Sequence, residues 1–374
     1  VSFELHLRDA DLPSLVRESE SCTESDVERA LGKEHLQLVD LLALLSPAAS
    51  RCLEPMAQRA RALTLQRFGR TILLYAPIYV SNECTNRCAY CSFAVQNDVP
   101  RTTLTLEQAE AEAEFLRAEG FRHVLIVSGE SRRAAPPESF AALIRRIRPW
   151  AANLTLEVYP LEEREYAMLV DAGADGVTLY QETYDRTVYA QVHPAGRKAD
   201  YGYRLAALER AGRAGMARLN VGALLGLHPW RSEALAIALH ASWLMKHFWR
   251  SQVAVSFPRL RHGPSGYQPA FPVSDRDLVQ MMTAMRLFLP DAGIVLSTRE
   301  PAHLRNALIP MGVTQMSAGS KTEPGGYTMP CEEGAQFSVE DRRSAAQIAR
   351  LIVQAGYEPV WKDWDRGLSK GAAA

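Results

Sequence analysis

The sequence lacks any apolar run long enough to cross a membrane. Its longest, Thr71–Val80 and Leu219–Leu227, stop far short of the roughly 20 residues a spanning helix needs. It also lacks a strong charge of either sign: 42 lysines and arginines stand against 43 aspartates and glutamates, a net charge of -1. No basic tract offers itself to nucleic acid, and no acidic tail points to disorder. The first residues, Val1-Ser2-Phe3-Glu4-Leu5-His6, lack the basic start and apolar stretch of a signal peptide, so none is expected; an initiator Met is also missing. Cysteine is scarce, with six in 374 residues. Cys22, Cys52 and Cys331 are scattered and read as ordinary thiols. The other three fall in one stretch, Cys84-Thr85-Asn86-Arg87-Cys88-Ala89-Tyr90-Cys91, and no histidine occurs between His35 and His123 to serve as a fourth ligand. So tight a group of thiols argues against disulfides and for a reducing cytoplasm.

What is there is an ordinary globular composition, 47% hydrophobic and 23% charged, with ample length for a large core. Residues 1–70 read as helices: Thr23-Glu24-Ser25-Asp26 caps one, Leu36–Leu45 is apolar on a helical period, and Ala48–Phe68 ends at Gly69. From Thr71 strand-like and helix-like runs alternate. The strands predicted are Ile72–Val80, His123–Ser128, Leu154–Tyr159, Gly176–Tyr180, Leu219–Leu225, Val253–Phe257, Ile294–Ser297 and Thr314–Ser317. Eight strands, each followed by a helix, predict an α/β fold, a (β/α)8 TIM-type barrel over residues 71–356. The N-terminal helical layer of 1–70 would pack on it, and 357–374 would be a short C-terminal tail. A partial barrel is the alternative.

Chemistry in such barrels sits at the carboxyl ends of the strands. The cysteines follow strand 1 directly. Ser128-Gly129-Glu130, Glu157, Gln181-Glu182-Thr183-Tyr184, Ser256–Arg261, Ser297–Glu300 and Ser317–Lys321 end other strands. Thiolates select zinc or iron–sulfur clusters. A structural zinc site closes a shell of four, usually as paired knuckles. Three local thiolates suit instead a [4Fe-4S] cluster with one iron left open.

The spacing C-x3-C-x2-C, with Tyr90 before the third cysteine, resembles the motif of radical S-adenosylmethionine (SAM) enzymes. Ser46-Pro47-Ala48-Ala49-Ser50, Gln181–Tyr184, Ser256–Arg261, Ser297–Glu300 and Pro359–Asp365 extend the resemblance to the tyrosine lyases of bacterial thiamine thiazole biosynthesis. The resemblance implies that Cys84, Cys88 and Cys91 ligate three irons and that SAM chelates the fourth. It implies that Tyr90 meets the adenine. Ser128-Gly129-Glu130, with Ser for the family's first Gly, would meet the SAM amino group. Glu157 would contact the ribose or the methionine part, and Arg204 the SAM carboxylate. The reaction implied is cleavage of L-tyrosine between Cα and Cβ into 2-iminoacetate and p-cresol. Implied partners are the thiazole synthase that consumes the imine and a flavodoxin or ferredoxin that donates the electron.

Arg299 is the candidate for the tyrosine carboxylate, since its planar fork suits bidentate binding. The competing reading is an ion pair with Glu300 or Glu182, and Arg259 and Arg261 are alternative cations. Gln181 and Ser317 could hydrogen-bond substrate or SAM. Three rival functions stand beside the first: a tryptophan lyase, a non-enzymatic iron–sulfur or zinc scaffold, and the hydrogenase-maturation relative. The last carries a second cysteine-bound cluster in a C-terminal extension, and only Cys331 follows strand 8 here. Other features read as structural: His228, His240 and His247 as a solvated helix face, Pro324-Gly325-Gly326-Tyr327 as a turn, Trp361 and Trp364 as packing, and Arg145, Arg146 and Arg148 as an exposed face.

Overall fold

A computed structural model describes residues 2–260, 265–329 and 334–362. The strands are β1 (Thr71–Ser81), β2 (His123–Ser128), β3 (Asn153–Glu157), β4 (Gly176–Glu182), β5 (Arg218–Ala223), β6 (Gln252–Ser256), β7 (Gly293–Leu296), β8 (Gln315–Ser317) and β9 (Glu358–Val360). β1 to β8 are parallel neighbours in chain order, and β8 and β2 both pair with β1, which closes an eight-stranded barrel. The strands are short apolar runs buried on both faces, as parallel strands covered by helices are. Their bounds fall within two residues of those predicted. The addition is β9: Thr71–Leu73 of β1 pair in parallel with Glu358–Val360, so residues expected in the tail join the sheet. Trp361, next in the chain, packs edge-on against Phe121 at 5.4 Å between ring centroids. Trp364 lies outside the described residues.

The N-terminal layer comprises five α-helices, Phe3–Asp9, Leu12–Ser21, Glu24–Gly32, Leu38–Leu45 and Leu53–Phe68. Thr23 caps the third through the reciprocal bonds expected, with Asp26 as its partner. The layer covers the barrel helices Trp230–His247 and Asp275–Phe288. Gln280 donates from Nε2 to the Leu44 and Ser46 carbonyls. One apolar core runs from Phe3 through the barrel to Ile352. This covering layer accounts for a correction: His240 is 2% exposed, not solvated, and stacks on Phe3 at 3.9 Å. His228 is half-buried, and only His247 is exposed. Arg145 and Arg146 are exposed as expected, whereas Arg148 is half-buried and binds Asp175 at 2.6 Å.

Inside the barrel, the rings of Tyr75 on β1 and Tyr180 on β4 form a partition. Below it, toward the amino-terminal strand ends, lies a cavity of about 740 Å³. Above it is a small space beside Ser256, Ser297 and Glu300. The carboxyl ends of the strands therefore make a separate mouth. Among the described residues no helix is long and apolar enough to cross a membrane.

Candidate active site

The chain leaves β1 at Ser81 and enters the cysteine loop at once. Two segments clamp that loop. On one side is the end of β2. The Gly129 N–H donates to the Ser81 carbonyl at 2.8 Å, and the Thr85 N–H donates to the Glu130 carbonyl at 2.9 Å. Asn86 Nδ2 donates to Glu130 Oε2 at 2.6 Å. A Cβ on Gly129 would overlap the Glu83 carbonyl oxygen, so only glycine lets the two backbones meet. Ser128 turns its hydroxyl to the Gly129 carbonyl at 2.8 Å.

On the other side is the segment after the helix Arg186–Val192. The Arg87 N–H donates to the Ala195 carbonyl at 3.0 Å, and the Ala89 N–H to the Val192 carbonyl at 2.9 Å. The Lys198 N–H donates to Asn86 Oδ1 at 3.0 Å. Arg101 closes the loop from beneath, donating to the carbonyls of Asn82, Phe93, Ala94 and Asn97. Four charge-assisted bonds from one guanidinium make the loop a rigid platform.

The five described cysteines are free thiols. Cys88 is buried, and Cys84 and Cys91 pack against Tyr79, Phe93, Leu125 and Val127. Burial pushes the Cys88 thiol up to about 12, with Lys198 opposing. Burial raises Cys91 as well, again against Lys198. Free thiols in such a wall stay protonated, and a metal must displace the protons. Among the described residues no three His, Cys, Asp or Glu side chains converge on a point where one ion could sit. A cubane cluster takes each of three thiolates on a different iron and leaves its fourth iron open. Three thiols on a rigid loop, backed by an apolar wall, fit the cluster.

Tyr90 points its hydroxyl at His193 Nε2, 2.8 Å away. His193 Nδ1 lies 2.9 Å from the Tyr189 carbonyl, which can only accept, so Nδ1 carries the proton and Nε2 accepts from Tyr90. Burial holds His193 down, to about 3, so this neutral tautomer persists. Next to Tyr90 stands a buried charge cluster. Lys198 donates to Glu182 Oε1 at 2.6 Å and Arg204 donates to the same oxygen at 3.0 Å. Arg204 also donates from Nε to the Tyr180 carbonyl at 2.8 Å. Burial pushes the Glu182 carboxyl up, but Lys198 and Arg204 outweigh it and hold it down, to about 2. Glu182 reaches this position through a bulge between Tyr180 and Glu182 and a left-handed backbone, φ 72°. Thr178 and Tyr180 face the barrel interior, so strand alternation turns Gln181 toward the helix layer. It is buried there with its Nε2 unpartnered among the described residues.

The strands flanking β1 and β2 bring Glu157 of β3 and Ser317 of β8 to the mouth, and Arg299 follows β7. Burial pushes the Glu157 carboxyl up to about 7, and Arg299 is the strongest charge opposing the rise. Arg299 stacks its guanidinium over Phe337, 3.4 Å from the ring centroid. Neither ion pair weighed for it forms: Glu300 accepts from Arg259 Nε at 3.0 Å, and Glu182 binds Lys198 and Arg204. Arg259 is thereby committed, to Glu300 and to Asp275 at 2.8 Å, and is no candidate for substrate. Arg261 lies outside the described residues. Ser317 Oγ accepts from the Thr298 N–H at 3.1 Å, which leaves it a bracing residue in this arrangement.

Residues 78–236 match the Radical SAM superfamily, and 256–358 the Biotin and Thiamin Synthesis associated domain. Over 351 residues the chain is 44% identical to the 2-iminoacetate synthase of Salmonella typhimurium LT2, covering 94% of this chain and 93% of that one. The 2-iminoacetate synthase of Escherichia coli K12 matches with the same identity and coverage. The chain belongs to the 2-iminoacetate synthase family. A crystal structure of HydG, a maturase of the [FeFe]-hydrogenase, superposes with a TM-score of 0.89 at 31% identity, over 94% of this chain and 80% of that one. The 2-iminoacetate synthase family and HydG thus share this barrel, and radical SAM proteins use a [4Fe-4S] cluster and SAM.

Within this 2-iminoacetate synthase fold, the structure brings Cys84, Cys88, Cys91, Tyr90, Ser128, Gly129, Glu130 and Arg204 together on one side of the mouth. Glu157, on β3 between β2 and β4, and Ser317, on β8 beside β1, border the same group, and Arg299 joins it by its stack on Phe337. Sequence reasoning missed Asn86, Arg101, His193 and Lys198. Asn86 lies inside the cysteine motif and could have been singled out; the others gain meaning only from contacts across the fold.

Proposed function

We propose that this protein cleaves L-tyrosine between Cα and Cβ, releasing 2-iminoacetate and p-cresol for assembly of the thiamine thiazole. The observation that carries this reading is 44% identity to 2-iminoacetate synthase over 94% of the chain. Cys84, Cys88 and Cys91 would hold a [4Fe-4S] cluster and leave its fourth iron to SAM. When bound, the two supply a carbon radical that takes a hydrogen atom from tyrosine. The protein's part is positioning and exclusion of water. The clamped loop keeps the three thiolates in place, and Tyr79, Phe93, Leu125 and Val127 wall them from solvent. Tyr90 would lie against the adenine, with its hydroxyl anchored on His193. Ser128, Gly129 and Glu130 would meet the SAM amino group, although their bonds here hold the loop. Arg204 would turn to the SAM carboxylate, and Glu157 to its ribose or methionine part. Arg299, stacked and free of any carboxylate partner among the described residues, would receive the tyrosine carboxylate in its fork. Gln181 would support from behind β4.

The product imine hydrolyses readily, so a thiazole synthase is the partner that takes it. A cytoplasmic flavodoxin or ferredoxin supplies the electron. The test is anaerobic: reconstitute the cluster, add SAM, a reductant and tyrosine, and assay 5′-deoxyadenosine, p-cresol and glyoxylate. All three are expected. An active cluster that yields no p-cresol overturns the reading. Indole products from tryptophan would make the protein a tryptophan lyase, and SAM left intact would make it a scaffold.

A further inference from the structure

The segment that clamps the cysteine loop carries more than backbone bonds. It delivers one ammonium group to the cluster side of the mouth. Gly196, at φ 96°, lies directly on Asn86, and a Cβ there would stand 2.7 Å from the Asn86 Cα. Two residues on, Lys198 is tied by its N–H to Asn86. Its Nζ then sits 5.5 Å from the centroid of the Tyr90 ring, the residue next to Cys91. Its salt bridge to Glu182 does not cancel it, because Arg204 shares the same carboxylate oxygen. Lys198, with 13% of its side chain exposed, and the buried Arg204 thus set two cations on the one Glu182 oxygen. His193, on the same segment, is neutral and adds none.

We infer that Lys198 tunes the reduction potential of the cluster that Cys84, Cys88 and Cys91 hold, its positive charge favouring the state with one more electron. The inference rests on the cluster assignment above. Cluster potentials respond to local charge and solvent exposure, and a charge excluded from water acts over longer range than an exposed one. Among the described residues, the acidic side chain bound to the loop itself is that of Glu130, which accepts from Asn86. In this proposal Lys198 is a positioning residue in the electrostatic sense, acting on the cluster through its charge.

The test is the midpoint potential of the reconstituted cluster, followed by electron paramagnetic resonance without SAM, in the wild type and in Lys198→Met, Lys198→Gln and Lys198→Arg. Iron and sulfide content is measured on each. The potential is expected to move to more negative values in the Met and Gln variants and to return in the Arg variant, with iron content unchanged. A potential unmoved in both neutral variants overturns the assignment. So does loss of iron in both with retention in the Arg variant, which would make the Lys198 side chain a structural brace through Glu182. A shift seen only when SAM is present also overturns it, because Lys198 would then act on SAM. If the wild type itself takes up no cubane cluster, the cluster assignment is what fails.

Discussion

Gly196 packs so closely on Asn86 that a Cβ at position 196 would fall 2.7 Å from the Asn86 Cα. Asn86 in turn bonds Glu130 through its amide nitrogen and Lys198 through its amide oxygen. One side chain inside the cysteine motif therefore couples both clamps. Gly196→Ala should cost about 1–3 kcal/mol from its left-handed backbone and should also push the clamp off the loop. Gly215, at φ 90° with open space where its Cβ would be, is the control, since alanine there meets only the backbone strain. Iron uptake on reconstitution should fall in Gly196→Ala and hold in Gly215→Ala. Equal iron content in the two would show that the close approach does not hold the loop.

The barrel could be read from sequence because its strands are buried on both faces and so appear as short apolar runs between helical stretches. His123–Ser128 is bounded as predicted. β9 could not be read: three residues containing Pro359 carry no pattern, and only pairing with Thr71–Leu73 makes them a strand. The cysteine loop was legible because its ligands are neighbours in the chain. Lys198 was not, because it meets Asn86 from 112 residues away. Arg299 and Arg259 show the same limit. Glu300 adjoins Arg299 in sequence, yet its carboxylate goes to Arg259, 41 residues earlier, because adjacent side chains at a strand end diverge. His240 was misread because the helix carrying it is covered by a second layer, so both its faces are apolar.

That covering layer gives a stability prediction. Phe3 is fully buried, stacks on His240, and donates its N–H to Glu209 Oε1 at 2.8 Å. Phe3→Ala should destabilise the protein by about 3–5 kcal/mol, read by denaturant unfolding. The Tyr184 hydroxyl stands 2.8 Å from His240 Nδ1, so loosening of the helical layer should reach the segment after β4. A loss below about 1 kcal/mol would mean that the first helix contributes little to the core.

Glu157 should make stability depend on pH. Its folded carboxyl titrates at about 7 against an ordinary 4.5. Burial causes the rise, Glu182 adds to it, and Arg299, Arg204 and Lys198 oppose it. A carboxyl raised on folding binds its proton more tightly in the native state. Its contribution is full below about 4.5 and is lost as pH climbs through about 7. Glu157→Gln keeps the shape and removes the charge. Cluster-free variant and wild type should be about equally stable near pH 4.5. The variant should gain on the wild type as pH rises from about 4.5 to about 7 and level off above that, by at most about 3 kcal/mol and less where water reaches the half-buried carboxylate. Thermal unfolding across that range is the measurement, and a difference that stays flat with pH contradicts the assignment.

Arg299→Lys tests the proposed substrate site. Lysine keeps the charge but loses the planar fork and the stack on Phe337, so the substitution separates bidentate recognition from simple attraction. Hydrogen bonds to a charged group contribute about 1.5–3 kcal/mol, which corresponds to roughly 10–100-fold in tyrosine affinity. The expected result is a KM for tyrosine raised by about that factor, with iron content and SAM binding as in the wild type, because Arg299 makes no bond to the clamps that hold the cysteine loop. Unchanged tyrosine binding and turnover would remove Arg299 from the substrate site. With Arg259 held by Glu300 and Asp275, the candidates left among the described residues would be Lys198 and Arg204. Placing it there would bring substrate and SAM into competition for the same cations, and SAM binding would fall as tyrosine is added; independent binding of the two is the outcome that keeps Arg299 in place.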